Sequence, residues 1–283
     1  MCEETGEYLF NKPDGVYFDC TLGGGGHSLY LLEKYPEIKI IGLDVDNNAI
    51  EEASKKLFKF KDRIKILREN FCNIGTIAEK LGLKSVDGIF ADLGVSSRQL
   101  DDESKGFSFR SANLDMRMDQ RLEKSAEDIV NTFDSDSLSK IFKEFGEERF
   151  ADKIARKIVE ERKSGKIISG KTLAEIIEKA KRRDGAIHPA TRVFQALRIY
   201  VNKELENLES FLNQLPDILN KGGRAVVISY HSLEDRIVKN IFRDKAKSGV
   251  FKLLTKKVIT PGEEEIRRNS RSRSAKLRAA EKV

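Results

Sequence analysis

The stretch Val16-Tyr-Phe-Asp-Cys-Thr-Leu-Gly-Gly-Gly-Gly-His27 decides the fold. Apolar and β-prone residues run into four consecutive glycines, and a helical pattern follows across 28–35. A strand that stops in a glycine turn and opens a helix is the first unit of a nucleotide-binding α/β fold. Glycine suits the turn because it tolerates positive φ and lets a ligand approach backbone without a Cβ in the way. Gly23 to Gly26 do not satisfy G-x-G-x-x-G, since His27 and Ser28 stand where the spaced third glycine should fall. That disfavours a dinucleotide, whose pyrophosphate depends on the spacing.

Working outward, Ile38-Lys-Ile-Ile-Gly-Leu-Asp44 reads as the next strand, closed by an acid 21 positions after Gly23. A carboxylate at the end of the second strand accepts two O–H bonds from a ribose diol. NAD and S-adenosylmethionine both carry that ribose, so Asp44 alone does not separate them. The plainer alternative is a helix cap, a role open to Asp46 or Asn47. The glycine run at the right distance favours the ribose.

The alternation continues. A crossover helix is expected over 48–58, with apolar residues at 49, 50, 53, 57 and 58. Ile64-Lys-Ile-Leu67 is the third strand, Phe71 follows it, and a helix spans about 74–81. Phe71 is placed either to flank a purine or simply to fill the core. Val86-Asp-Gly-Ile-Phe-Ala-Asp92 is the fourth strand. Ligands of doubly wound sheets sit beyond the carboxyl ends of the strands, where Asp44, Asp92 and the glycine loop would converge. From Gly106 to Tyr200 only helical stripes appear, which implies an inserted all-helical domain. The expected division is 1–105, 106–200 and 201–283. The last part holds a helix over 201–219, a fifth strand over 221–229, a helix through Phe242, and candidate final strands at 251–255 and 274–278.

The 283 residues are 39% hydrophobic and 35% charged, as in a soluble globular chain. No apolar run approaches the ~20 residues of a membrane span, and the acidic N-terminus is not a signal peptide. Cys2, Cys20 and Cys72 are odd in number and lack C-x-x-C spacing, which argues against disulfides and a zinc site and for a reducing, cytoplasmic setting. The net charge of +6 is unevenly spread. Residues 140–200 hold 16 basic and 9 acidic side chains, and 267–283 hold seven basic and one acidic. Such segments suit a polyanionic partner, or else a solvated helix face and a charged tail.

Beyond these patterns the chain resembles a known family. Thr21-Leu-Gly-Gly-Gly-Gly-His-Ser28, Asp92-Leu-Gly-Val-Ser-Ser-Arg-Gln-Leu-Asp-Asp102, Gly106-Phe-Ser-Phe109 and Leu114-Asp-Met-Arg-Met-Asp119 are similar to motifs of the RsmH (formerly MraW) methyltransferases. So are Gly146-Glu-Glu-Arg-Phe150, His188-Pro-Ala-Thr-Arg-Val-Phe-Gln-Ala-Leu-Arg198, Tyr230-His-Ser-Leu-Glu-Asp-Arg236 and Arg271-Ser-Arg-Ser-Ala-Lys-Leu-Arg278. The resemblance covers about 14–282. It implies an α/β, Rossmann-like seven-stranded S-adenosylmethionine-dependent methyltransferase sheet with an inserted helical substrate-recognition domain. The implied reaction is methyl transfer from S-adenosylmethionine to N4 of a cytosine in the decoding region of 16S rRNA, in the small ribosomal subunit. It implies no metal and no membrane; a homodimer is the candidate assembly. Gly25, Gly26 and His27 would line the methionine end of the cofactor, Asp44 the ribose and Phe71 the adenine, with Asp92 and Gln99 completing the pocket. Arg98, Asn113 and Ser270 stand where the family commonly has proline, and the family's His-x-Pro-Val stretch before the first helix has no match.

The N4 amine is a poor nucleophile, so the reaction needs alignment and a proton acceptor. Asp92 is the candidate acceptor, in place of the Asp/Asn-Pro-Pro-Tyr/Phe of other amino-methyltransferases. His27, His188 and His231 are the only histidines. His27 is the best functional candidate, while His188 and His231 read equally as structural. Arg192, Arg198 and Arg236 are candidate phosphate contacts or salt-bridge partners. Phe107 and Phe109 are candidates for stacking on a flipped base, or for packing between the two domains. The competing functions are a DNA amino-methyltransferase, an NAD-dependent oxidoreductase and an inactive RNA-binding scaffold.

Overall fold

The computed structural model describes residues 1–181 and 188–283, with Ser97 described by its backbone. Arg182 and Arg183, counted above in the basic segment, lie outside the described residues. The chain divides into two compact units, Met1–Gly94 with Leu205–Val283, and Val95–Glu204. These junctions differ from the expected ones at 105/106 and 200/201. Val95 and Leu100 already pack on the helical core, which draws the first junction forward.

The first unit is built on one seven-stranded sheet of order β3-β2-β1-β4-β5-β7-β6. Its strands are β1 Val16–Asp19, β2 Lys39–Asp44, β3 Ile64–Arg68, β4 Val86–Asp92, β5 Leu219–Ser229, β6 Phe251–Leu253 and β7 Lys276–Lys282. The first five are parallel, whereas β7 lies antiparallel between β5 and β6. This is the seven-stranded methyltransferase sheet that the resemblance implies. Parallel strands are covered on both faces and therefore read as continuous apolar runs, as β4 does, buried up to its last residue.

Successive side chains point to opposite faces, and the two cores separate accordingly. Tyr17, Ile40, Phe90, Val226, Ile228 and Leu277 join one core with Leu9, Leu31, Leu32, Ala53 and Leu57 from the helices Cys2–Leu9, Gly26–Lys34 and Asn47–Lys56 and the residue after the last. Phe18, Ile41, Ile89, Ala91, Val227 and Ala280 join the other, under helices Ile74–Lys80, Glu204–Ile218 and Ser232–Lys247. A one-residue slip of any strand would exchange these sets, so the register is strongly fixed.

Two sequence expectations need correction. The helix expected over 201–219 is two helices, Thr191–Asn202 and Glu204–Ile218, parted at Lys203 where φ is +51°. The fifth strand starts earlier than expected, at Leu219, and holds a bulge against β4 in which Gly222 takes φ +77°.

The second unit contains, among its described residues, helices and loops only. Helices Ala126–Thr132, Ser135–Gly146, Ala151–Glu161, Gly170–Ala180 and Thr191–Asn202 close around Ile129, Phe142, Ile154, Ile158, Ile177 and Leu197. The Leu114-to-Asp119 motif is part of this core. Leu114 and Met116 are fully buried, Asp115 holds Arg117 through its Nε at 2.8 Å, and Asn202 bridges Met116 O and Met118 N. Phe107 is buried in the core of this unit and Phe109 stacks on His188 with centroids 4.4 Å apart, so both phenylalanines pack within the helical unit itself.

Candidate active site

The carboxyl ends of β1, β2 and β4 each carry an aspartate: Asp19, Asp44 and Asp92. The register places Asp19 beside Gly42 and Phe90, so these ends lie along one edge of the sheet. The glycine turn leaves β1 at the same edge. Gly23 and Gly25 have φ of +51° and +76°, conformations that side chains disfavour. A Cβ on Gly25 would meet Leu57 Cδ1 at 2.8 Å, whereas one on Gly26 would meet nothing within 4 Å. Gly25 is thus required by the turn itself, and Gly26 opens onto free space beside it.

Asp44 fastens this turn. Its Oδ2 accepts the Gly23 N–H at 2.7 Å and its Oδ1 the Asp46 N–H at 2.9 Å. The capping of helix Asn47–Lys56 falls instead to Asp46, whose side chain accepts the Asn48 N–H. The plainer alternative for Asp44 is therefore taken by its neighbour. The carboxylate has further lone pairs for a diol. Burial pushes its carboxyl upward, opposed by the backbone N–H groups of Asp46, Gly23 and Val45.

Asp19 is buried and takes the Ser28 hydroxyl at 2.6 Å. Desolvation raises its carboxyl, and that hydrogen bond works against the rise. It joins β1 to the first turn of the following helix. The backbone N–H of Asp92 donates to Thr21 Oγ1 at 2.6 Å, which ties the end of β4 to the glycine turn.

Asp92 is the most perturbed acid here. Its Oδ1 accepts the Tyr230 hydroxyl at 2.9 Å, and its Oδ2 lies 3.8 Å from His27 Nδ1. Desolvation pushes its carboxyl up to about 7, against the lowering effect of the Tyr230 bond. The side chain nonetheless keeps 24% of its exposure, so it is reachable. Tyr230 is raised by burial and by the adjacent Asp92 charge, which holds it as a hydroxyl donor. Its backbone is fixed as well, the N–H donating to Glu234 Oε2 at 2.9 Å.

Desolvation lowers His27, so its imidazole is neutral at pH 7. The ring leans on Phe90 with centroids 4.7 Å apart, and its buried Nε2 has no hydrogen-bond partner. Buried polar nitrogens are rarely left so. In the tautomer protonated at Nδ1, the ring nitrogen that faces Asp92 at 3.8 Å, Nε2 offers a lone pair to an incoming donor. S-adenosylmethionine carries an ammonium and a ribose diol, and Nε2, Asp44 and the open space at Gly26 fit those groups.

The remaining candidates are placed as follows. Phe71 follows β3, half-buried and edge-on to Phe211 at 5.3 Å. Gln99 belongs to the helical unit, where its Oε1 accepts the Ser96 N–H in a capping box. His231 caps the helix Ser232–Lys247 through Nδ1, and His188 accepts the Ala190 N–H, so both have structural roles. Arg192 donates to Glu147 O at 2.8 Å, and Arg198 forks onto Glu204 at 2.8 and 2.9 Å.

With this geometry in place, comparison with known proteins is decisive. A family model described as the MraW methylase family matches residues 1–283. The chain belongs to that family. The protein called ribosomal RNA small subunit methyltransferase H from Persephonella marina is 50% identical over 97% of this chain and 95% of its own length. Its namesake from Endomicrobium trichonymphae is 49% identical over 99% of this chain and 96% of its own. That of Clostridioides difficile is 47% identical over 100% and 97%.

Two polar side chains at this edge, Tyr230 and Asp19, lie beyond the sequence reading of this MraW family member. No local pattern shows that Tyr230, the residue after β5, reaches the end of β4. Asp19 had a usable signal: three strands that end in Asp.

Proposed function

We propose that this protein is an S-adenosylmethionine-dependent methyltransferase of small-subunit ribosomal RNA, acting in the cytoplasm on N4 of a decoding-region cytosine. The observation that carries the proposal is the whole-chain match to the MraW methylase family, together with relatives near 50% identity named for that activity. Those relatives disfavour the dinucleotide, DNA and scaffold alternatives.

When bound, S-adenosylmethionine supplies an electrophilic methyl group on a sulfonium. Asp44 takes the ribose hydroxyls. Gly25 and Gly26 keep side chains out of the way at the amino-acid end, where His27 Nε2 accepts a hydrogen bond. Phe71 flanks the adenine. Asp92 then has two tasks, to line the pocket and to accept the proton that the N4 amine sheds as its nitrogen becomes tetrahedral. A carboxyl at about 7 is well matched to that second task near neutral pH. Tyr230 orients the carboxylate through the bond to Oδ1, leaving Oδ2 for the amine. The sulfonium is electrophilic without a Lewis acid, so these steps call for no metal ion. The helical unit Val95–Glu204, with its basic excess, is the candidate for RNA recognition. A homodimer is the assembly to test by light scattering.

The test incubates the protein with methyl-labelled S-adenosylmethionine and small subunits lacking the modification, then identifies the labelled nucleoside by mass spectrometry. N4-methylcytidine is expected; label on another nucleoside would overturn the target. Asp92→Asn should abolish transfer while calorimetry shows cofactor affinity kept, and equal loss of both would reduce Asp92 to a binding residue.

A further inference from the structure

The basic run at 267–283 looks uniform in sequence, but the structure sorts its cations. Arg267 and Arg268 are matched one turn back by Glu263 and Glu264. Lys276 and Arg278 share Asp235, at 3.7 and 2.7 Å. Lys282 Nζ donates to Leu219 O at 2.7 Å. Within the short 3-10 helix Ser270–Ser274, Arg273 is exposed, and its contact is the Ser270 carbonyl at 3.4 Å, with no carboxylate partner among the described residues. Arg271 is exposed beside it.

This turn is firmly built. The Asn269 side chain accepts the Arg271 N–H at 3.2 Å, and the buried Ser272 donates its hydroxyl to Asn269 O at 2.7 Å. The turn also stands at the reacting edge of the sheet. It feeds into β7, whose Lys276 pairs with Ser229 at the end of β5, next to Tyr230. Leu277 pairs with Ile228, which pairs with Asp92, so its backbone lies two strand spacings, roughly 10 Å, from that of Asp92.

We propose that Arg273, on the ridge that this turn makes at the reacting edge, grips the phosphate backbone of the RNA strand flanking the reacting base. This rests on the function proposed above. Guanidinium forks onto phosphate oxygens in two parallel bonds, and a preformed turn limits the ordering that binding requires. Phosphate contacts set position without reading sequence. Arg273 is accordingly a positioning residue.

The test uses the full-length protein and its Arg273→Glu variant, with Arg267→Glu as the control, since Arg267 is already matched within its own turn. For Arg273→Glu, KM for unmodified small subunits should rise about tenfold, with kcat and calorimetric affinity for S-adenosylmethionine unchanged. The slope of log binding constant against log salt, for a small-subunit RNA fragment, should fall by about one. A KM and slope equal to the unaltered protein's would overturn the ridge, as would an equal response to Arg267→Glu. If no methyl is transferred to RNA but the slope still falls, the ridge stands and the methyltransferase reading fails.

Discussion

At Asp92 two opposed effects set the chemistry: loss of water raises the carboxyl to about 7, while the Tyr230 hydroxyl at 2.9 Å holds it from rising further. An acceptor must be ionised, so methyl transfer should increase with pH through about 7. Tyr230→Phe removes the restraining bond, and the midpoint of the pH–rate profile should move to higher pH by on the order of one unit. A profile with an unmoved midpoint would detach Tyr230 from Asp92's protonation. The same shift bears on stability. Asp92 ionises near 3.8 when unfolded and about 7 when folded, so the folded protein keeps a proton that the unfolded chain gives up. Stability contributed by this group is present below 3.8 and is lost as pH climbs to about 7. Asp92→Asn removes that loss, and should raise Tm at neutral pH while changing it little near pH 4, by scanning calorimetry.

Among the elements, the glycine turn allows backbone geometry to be separated from ligand approach. Gly25→Ala forces a Cβ into φ +76° and against Leu57 at 2.8 Å, and should destabilise the fold by about 1–3 kcal/mol. Gly26→Ala meets no neighbour and replaces glycine in a helix's first turn, so thermal stability should hold or rise slightly. Cofactor affinity should nonetheless fall, by calorimetry, if the open space there receives the methionine end. This turn was legible in sequence because strand, glycines and helix are local signals. The paired strand ends were legible too, since apolar runs closed by Asp44 and Asp92 announce parallel strands. Other elements were hidden by non-local causes. The break at Lys203 carries no glycine or proline, and only the φ of +51° reveals it. Strand β7 contains Lys-Leu-Arg-Ala-Ala-Glu-Lys, weak in β-branched residues, and is a strand because β5 and β6 hold it on both sides. Asp46 as the helix cap was foreseen as one alternative, and it is the observation that frees Asp44.

Across the whole molecule, the order of assembly differs from the order of the chain. β7 lies inside the sheet, with Leu277, Ala279 and Ala280 fully buried, although it comes last in sequence. Deleting 276–283 should leave β5 unpaired on one side and β6 without a partner, and the sheet unit should lose its cooperative thermal transition by circular dichroism. Retention of that transition would mean the sheet needs only its parallel half. The charge is also organised at this scale: most of the tail's cations are spent on neighbours, so its net charge overstates its capacity for RNA. The central claim is the reaction itself. Its most direct measurement is identification, by mass spectrometry, of the nucleoside labelled when this protein meets methyl-labelled S-adenosylmethionine and unmodified small subunits. The account predicts N4-methylcytidine from the decoding region, abolished by Asp92→Asn; label on any other atom, or undiminished label with that variant, would contradict it.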